Sequence, residues 1–477
     1  MRYKIFKLEL LAVLIVAAFL ICVLMLRPIV GVADNGDFER IMSTTGLSYL
    51  KNDYDERYFN FVNREFFMTA PFKQGVGYFS TEVPLVFIAK IISRIVFFNR
   101  GIFDIRFLAL LYCCLFLVFI YITTKYNKRN IPAINYISVI LTIVVFTDLG
   151  YISYFNSLYG EALSFTALLL MTALAVYISK SDNPPNLALI GFFVSAILLI
   201  GAKVQYAPIG LVLAVFSLLL LRIKNSGKWR KTIAVCATLL VMTSVLSYFS
   251  IPGVMRVCNK YQSVFYGVLK DSESPESDLE ELGLSKEYAD LSGTNFFMEE
   301  YPINIKEPVF LKEINSSVSP FKVGLFYLRH PKRYIEKLEI TAVKAFNLIQ
   351  GFGNYEKTKG YEIRKEVSYF RVWNDFKVKV LPHSLWFVLL FFISYAIILS
   401  VQYIKAQKAG EKLYFGTFIL IMLIGIIQFI VPVICDGEAD LSKHLFLFNV
   451  CFDIMFIYMI IWLMERAVAL GKRVLNL

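Results

Sequence analysis

The sequence predicts an all-α polytopic membrane protein with about ten transmembrane helices. Three observations carry this expectation. Of 477 residues, 57% are hydrophobic and only 18% charged, less charge than a soluble domain of this size carries. Apolar runs of about 18–20 residues recur, the length a helix needs to cross a hydrocarbon core of roughly 30 Å. The short segments between these runs also divide sharply by charge.

Ten spans fit the hydropathy, at residues 8–28, 103–123, 131–149, 161–179, 187–201, 207–222, 232–250, 383–404, 414–434 and 445–465. The first is longer than a secretory-signal core and lacks a small-residue cleavage site, which predicts a retained helix. With ten spans, five basic segments fall on one side: MRYKIFK at the start, KYNKR at 125–129, RIKNSGKWRK at 222–231, KAQKAGEK at 405–412 and GKR at 471–473. Lys and Arg collect in cytoplasmic loops, so this side and both termini are expected to be cytoplasmic. The same bias accounts for the net charge of +12 without invoking nucleic acid as a partner.

The opposite face is expected to hold a long first loop (29–102), turns at 149–160, 202–206 and 435–444, and an insert over 251–382. The chain therefore divides into a transmembrane module at 1–250, an extracytoplasmic insert at 251–382 and C-terminal helices at 383–477. Within the first loop, VPLVFIAKIISRIVFF (83–98) is apolar but carries Lys90 and Arg94, the pattern of a helix lying at the membrane interface. The insert is expected to be small and mainly helical. Its polar stretch 271–293 reads as mobile surface, and 332–346 has helical apolar spacing. Seven cysteines show no metal-type spacing; Cys258 and Cys435 are the pair expected to face outward together, a weak basis for a disulfide.

Polar residues gather at the outer face. One set is acidic: Asp34 and Asp37 in GVADNGDFERIM, and Glu161 in YFNSLYGEALSF, beside Asn156 and Tyr159. The other is basic: Lys203 with Gln205 in GAKVQYAP, and Lys443 and His444 in DGEADLSKHLFLFN. Each has an ordinary structural role available. Asp37 suits a helix cap, Glu161 a helix N-terminus, and Lys203 snorkelling; together they suit a belt of salt bridges. Charged residues at membrane helix ends also mark functional cavities. A carboxylate that accepts the proton of an attacking hydroxyl, opposite cations that stabilise a departing lipid phosphate, suits sugar transfer from a lipid-linked donor. Tyr151, Tyr154, Tyr159 and Tyr206 suit either sugar stacking or an interfacial aromatic belt.

With these spans and acidic motifs, the chain resembles the GT-C superfamily of integral membrane glycosyltransferases, which use polyprenyl-phosphate sugars. The segments ADNGDF, AKVQYAP, FYLRHPKRYIEKL, GNYEKTKG and SKHLFLFN, in that order, resemble the bacterial Wsf-type hexosyltransferases of S-layer and cell-surface glycan assembly. The resemblance implies an inverting transfer of a hexose from a polyprenyl-phosphate donor to a glycan or glycolipid acceptor, outside the plasma membrane. It implies an acidic first-loop base, at Asp34 or Asp37, with Asp37 the better match because it precedes the aromatic that opens the helix. Glu161 would be the second acid. Lys203, Lys443 and His444 would face the donor phosphate, with Gln205, Asn156 and Tyr159 near substrate and Arg329 and His330 in support. Many members carry adjacent acids in this loop. Here the spacing is Asp–x–x–Asp, so the choice of base and a divalent cation as cofactor are both left open.

Two other classes fit less well. A transporter or flippase of lipid-linked glycans calls for polar groups at the bilayer midplane and two related halves; the spans here are apolar in their middles. An O-antigen-type polymerase or ligase leans on arginine and histidine rather than a first-loop carboxylate.

Overall fold

The computed structural model describes residues 7–72, 77–98, 101–358 and 360–474. Each of the ten expected spans is a helix, but they are unequal. Seven are long and apolar enough to cross a membrane: Leu8–Met25, Arg106–Tyr126, Gly160–Lys180, Gly227–Phe249, Leu385–Lys405, Ala409–Asp436 and Phe446–Lys472. An eighth is bent by 47° between Pro132–Phe146 and Leu149–Asn156. The other two, Asn186–Ala202 and Ile209–Leu220, are shorter. At 12 residues the second of these rises only about 18 Å. The turn between them, which carries Lys203 and Gln205, is a short 3₁₀ segment, Val204–Tyr206, closed by Pro208 as the cap of the next helix.

The Gly160–Lys180 helix is the centre of the bundle and is buried over most of its length. Tyr151, Tyr154, Tyr159 and Tyr206 are all buried. The expectation that these tyrosines face sugar or form a surface belt is therefore corrected. Tyr151 stacks on Phe165 at 4.9 Å and Tyr154 meets Phe446 edge-on at 4.9 Å. They fill the core because this end of the bundle is sealed by aromatics from several helices.

The first loop is ordered by a small antiparallel sheet that hydropathy alone did not reveal. Strands β1 (Leu47–Tyr49), β2 (Glu65–Met68) and β3 (Ile102–Asp104) lie in that order, with Leu47 opposite Met68 and Glu65 opposite Asp104. The Val83–Val96 helix turns an apolar face outward, with Ile88, Ile91 and Ile95 exposed. Its Lys90 and Ser93 point inward instead: Lys90 holds the carbonyls of Thr45 and Gly46, and Ser93 holds that of Ile102 at 2.9 Å.

The insert is mainly helical and packs back on the bundle. The stretch 271–293 is not mobile surface. It forms a helix at Pro275–Glu281 and a 3₁₀ turn at Lys286–Leu291. Leu279, Leu282 and Leu291 are buried, and Arg333 grips Asp278 at 2.7 Å. Its acidic look hid these buried leucines, spread over two short helical turns. Segment 353–355 runs along the first loop, where Gly31 N donates to Asn354 O at 3.0 Å and Ala33 N to Gly353 O at 2.9 Å. The approach requires glycine at 353, since a Cβ there would lie 2.0 Å from the Asn60 carbonyl oxygen. Cys258 and Cys435 are both free thiols.

Candidate functional site

Chain direction alone gathers the polar ends. The first span ends, Gly160–Lys180 begins, the 203–206 turn occurs, Ala409–Asp436 ends and Phe446–Val474 begins at one end of the bundle. At the other end of the bundle Arg129, from the basic 125–129 segment, bonds Tyr414 at 3.2 Å and approaches Glu465 at 3.6 Å.

Asp34 is wholly buried. Its Oδ1 accepts from Gly36 N at 2.8 Å and Phe38 N at 3.0 Å, and its Oδ2 accepts from Tyr49 OH, delivered by β1. It caps the Phe38–Thr45 helix from four residues upstream. This corrects the expectation that Asp37 caps that helix: its side chain makes no capping bond. Burial pushes the Asp34 carboxyl up to about 6 against its three hydrogen bonds. Wholly buried and with both oxygens engaged by the loop, it is not placed as a base.

Asp37 is different. Its side chain is 27% exposed and lies between Arg40, at 2.8 Å, and Lys443. Burial works against its charge, but Arg40 and Lys443, with Lys203 behind them, hold the carboxyl well below the usual carboxylate range. Lys443 also reaches Asn35 Oδ1 at 3.3 Å and sits 4.1 Å above the Tyr159 ring. Burial opposes its charge too, and Asp37 and Glu161 outweigh that to raise its pKa.

Glu161 is buried at its helix start and bound by Lys203 at 2.7 Å. Its Oε2 accepts no protein hydrogen bond. Gly160 lies against this turn, 2.6 Å (from its would-be Cβ) to Ala202 O, which seats Glu161 beside Lys203. His444 turns Nδ1 to Gln205 Oε1 at 2.7 Å and Nε2 to Asp436 Oδ2 at 2.9 Å. Both ring nitrogens thus face oxygen acceptors. Gln205 Nε2 donates to His444 O at 3.0 Å and Gln428 Oε1 at 3.1 Å.

The sequence-predicted Asp37, Glu161, Lys203 and Lys443 therefore meet as two carboxylate–ammonium pairs, Asp37–Lys443 and Glu161–Lys203, and His444 pairs with a further carboxylate, Asp436. Three expectations are corrected. Asn156 is buried and donates to the carbonyls of Leu24 and Val30 at 3.0 and 2.7 Å, pinning the first span's exit. Tyr159 uses its hydroxyl on Ala33 O and Asn35, both at 3.0 Å, because the ADNGDF backbone folds over it. Arg329 and His330 engage Glu281 in the insert rather than this cluster.

Several participants were missed. Arg40 lies one helical turn from Asp37, a spacing that could have flagged it. Asp436 precedes His444 by eight residues in a turn already singled out. Glu82 had no signal: it is a lone acid before an apolar run. It is buried, receives Tyr112 OH at 2.9 Å and lies within electrostatic reach of Glu161 and Lys203; burial and then Glu161 push its carboxyl up to about 8.

The donor set fits a divalent cation poorly. Asp37, Glu161 and Asp436 each already face an ammonium, a guanidinium or an imidazole, and among the described residues no group of three or more His, Cys, Asp or Glu side chains has metal-binding geometry. What the arrangement offers is an ionised, partly open carboxylate beside several cations in a site half withdrawn from water.

The model of the YfdI N-terminal transmembrane domain family matches residues 1–474. The chain belongs to that family, a GT-C-like membrane glycosyltransferase group. No curated protein matches it, and no solved structure does.

Proposed function

We propose that this member of the YfdI family moves a hexose from a polyprenyl-phosphate sugar to a cell-surface glycan or glycolipid acceptor, outside the bacterial plasma membrane, by a single inverting displacement. The Asp37–Lys443 pair carries the reading. Asp37 is the one acid of the ADNGDF loop with an open face, and it is held ionised against cations that suit a phosphate.

Asp37 takes the proton of the acceptor hydroxyl as the hydroxyl oxygen bonds to the anomeric carbon. The bond from that carbon to the phosphate oxygen breaks, and the lipid phosphate leaves with the electron pair. Lys443 and Lys203 stabilise the negative charge gathering there, which counts for more in a partly desolvated site than in bulk water. A phosphate at Lys443 also divides the ammonium's attraction with Asp37. The carboxylate becomes more basic when the donor is bound, which is when a base is needed. Gln205, locked by His444 and Gln428, fixes the 203–206 turn and so the position of Lys203.

The test is to supply the purified protein with an anomerically defined polyprenyl-phosphate hexose and an acceptor glycolipid, and to read the product anomer by NMR. An inverted linkage supports the proposal; a retained one rejects the single displacement.

A further inference from the structure

A second cationic wall lies one helix away from this cluster. The Gly253–Ser263 helix begins four residues past the outer end of the Gly227–Phe249 span. One of its faces looks at the cluster: the Cys258 thiol lies within electrostatic reach of Asp436, Arg40 and Asp37. The Gln262 carbonyl presses on Gly437 so closely that a Cβ there would lie 2.5 Å from it. The other face, with Val254, Arg256, Val257 and Lys260, lines a cavity of about 940 Å³ that is closed by segment 296–306 and the Pro308–Ser317 helix.

The chemistry of this wall is unbalanced. Arg256, Lys260 and Lys306 line it against a single carboxylate, Glu299. Among the described residues none of the three cations forms an ion pair. Arg256 donates to Ile251 O at 3.2 Å and Lys260 to Asn315 O at 2.6 Å. Arg256 and Lys260 are one turn apart, so they repel. Burial first, and then Arg256, lower the pKa of Lys260, with no acid to offset them. The cations of the Asp37 cluster are, by contrast, each matched to a carboxylate. Apolar groups complete the lining: Val254 is 77% exposed and Met298 47%, and Gly253 at the cavity edge follows the exposed Phe249, the last residue of the membrane span, by four residues. Cations without carboxylate partners among the described residues, set beside apolar surface close to the end of a membrane span, match a molecule that has an anionic head on an apolar anchor. Phosphate is the head that Arg and Lys hold best.

We infer that this cavity binds the phosphate-bearing head of a membrane amphiphile, and that this amphiphile is the sugar acceptor, presented to Asp37 across the Gly253–Ser263 helix. The acceptor role rests on the transferase reading above; the binding site does not.

The probe is dihexanoyl phosphatidic acid, titrated into the full chain in phosphatidylcholine nanodiscs. The wild type is expected to bind it, and Arg256→Gln/Lys260→Gln to bind it at least about tenfold more weakly, because glutamine keeps a neutral donor at each position but loses the charge that strengthens the bond. Val257→Trp narrows the cavity beside Arg256 and Lys260 without touching a charge and is expected to weaken binding similarly, which guards against a misfolded double variant. Inorganic phosphate should not compete. Wild-type affinity in both variants overturns the site, and equal competition by inorganic phosphate overturns the amphiphile. Binding is read without turnover, so it stands or falls apart from the transferase. In a transfer assay the double variant should raise the acceptor KM and leave the donor KM unchanged. An unchanged acceptor KM overturns the acceptor role alone.

Discussion

Lys443 and Asp37, 406 residues apart in the chain, form an ion pair within hydrogen-bond reach, and the lysine's ammonium sits over the Tyr159 ring. Their meeting joins the first loop to the start of the last span. The two acids of ADNGDF are thereby separated in role. Asp37→Asn should fold normally and slow transfer by about 10²–10⁴-fold, the contribution typical of a positioned base. Asp34→Asn keeps an oxygen for the helix cap and should retain most activity, while Asp34→Ala should lower the melting temperature in detergent by removing a cap worth about 1 kcal/mol. Rates and melts on the three variants check this. Wild-type turnover in Asp37→Asn removes the base assignment.

Removing Lys443 should move the pH profile. Lys443 and Arg40 hold the Asp37 carboxyl well below its ordinary range, so Lys443→Met should raise it. The acid limb of kcat/KM then shifts to higher pH. A limb that stays in place would mean that Asp37 does not titrate in the reaction.

Glu161 and Lys203 should show strong coupling. Lys203→Met leaves a buried carboxylate uncompensated, at a cost of roughly 3–5 kcal/mol. Lys203→Met/Glu161→Gln should recover most of that stability and none of the donor affinity. A double-mutant cycle on melting temperature and donor KM separates the structural role of the pair from its binding role.

Glu82 should make stability fall as pH rises. Its carboxyl is raised from 4.5 to about 8, mainly by burial. Below the ordinary carboxylate range it is neutral in both folded and unfolded chains. As pH climbs from 4.5 toward 8 the unfolded chain gives up a proton that the folded chain still holds, so stability drops across that window. Glu82→Gln should flatten this part of the melting curve. Equal slopes in both proteins would show that Glu82 is ionised in the fold.

Much of this was legible in the sequence, because bilayer physics writes itself plainly. Spans need length and apolarity, and basic loops mark one side. The residues at the other ends, Asp37, Glu161, Lys203, Lys443 and His444, converge for the same reason: helix direction alternates. Specific partners were not legible. Asp34 and Asp37 look alike on paper, and only the β1 strand, which brings Tyr49 to one of them, separates the two. Asn156 and Tyr159 look like ligand-binding groups until the first loop's carbonyls are seen to use them. Glu82 and Arg256 acquire meaning only from distant neighbours, which no local pattern records.

The most direct measurement is consumption of a panel of polyprenyl-phosphate sugars by purified wild-type protein and Asp37→Asn. The account predicts that wild type releases polyprenyl phosphate from one of these donors and that the folded variant does not. Release at equal rates by both proteins, or from none of the donors, would contradict it.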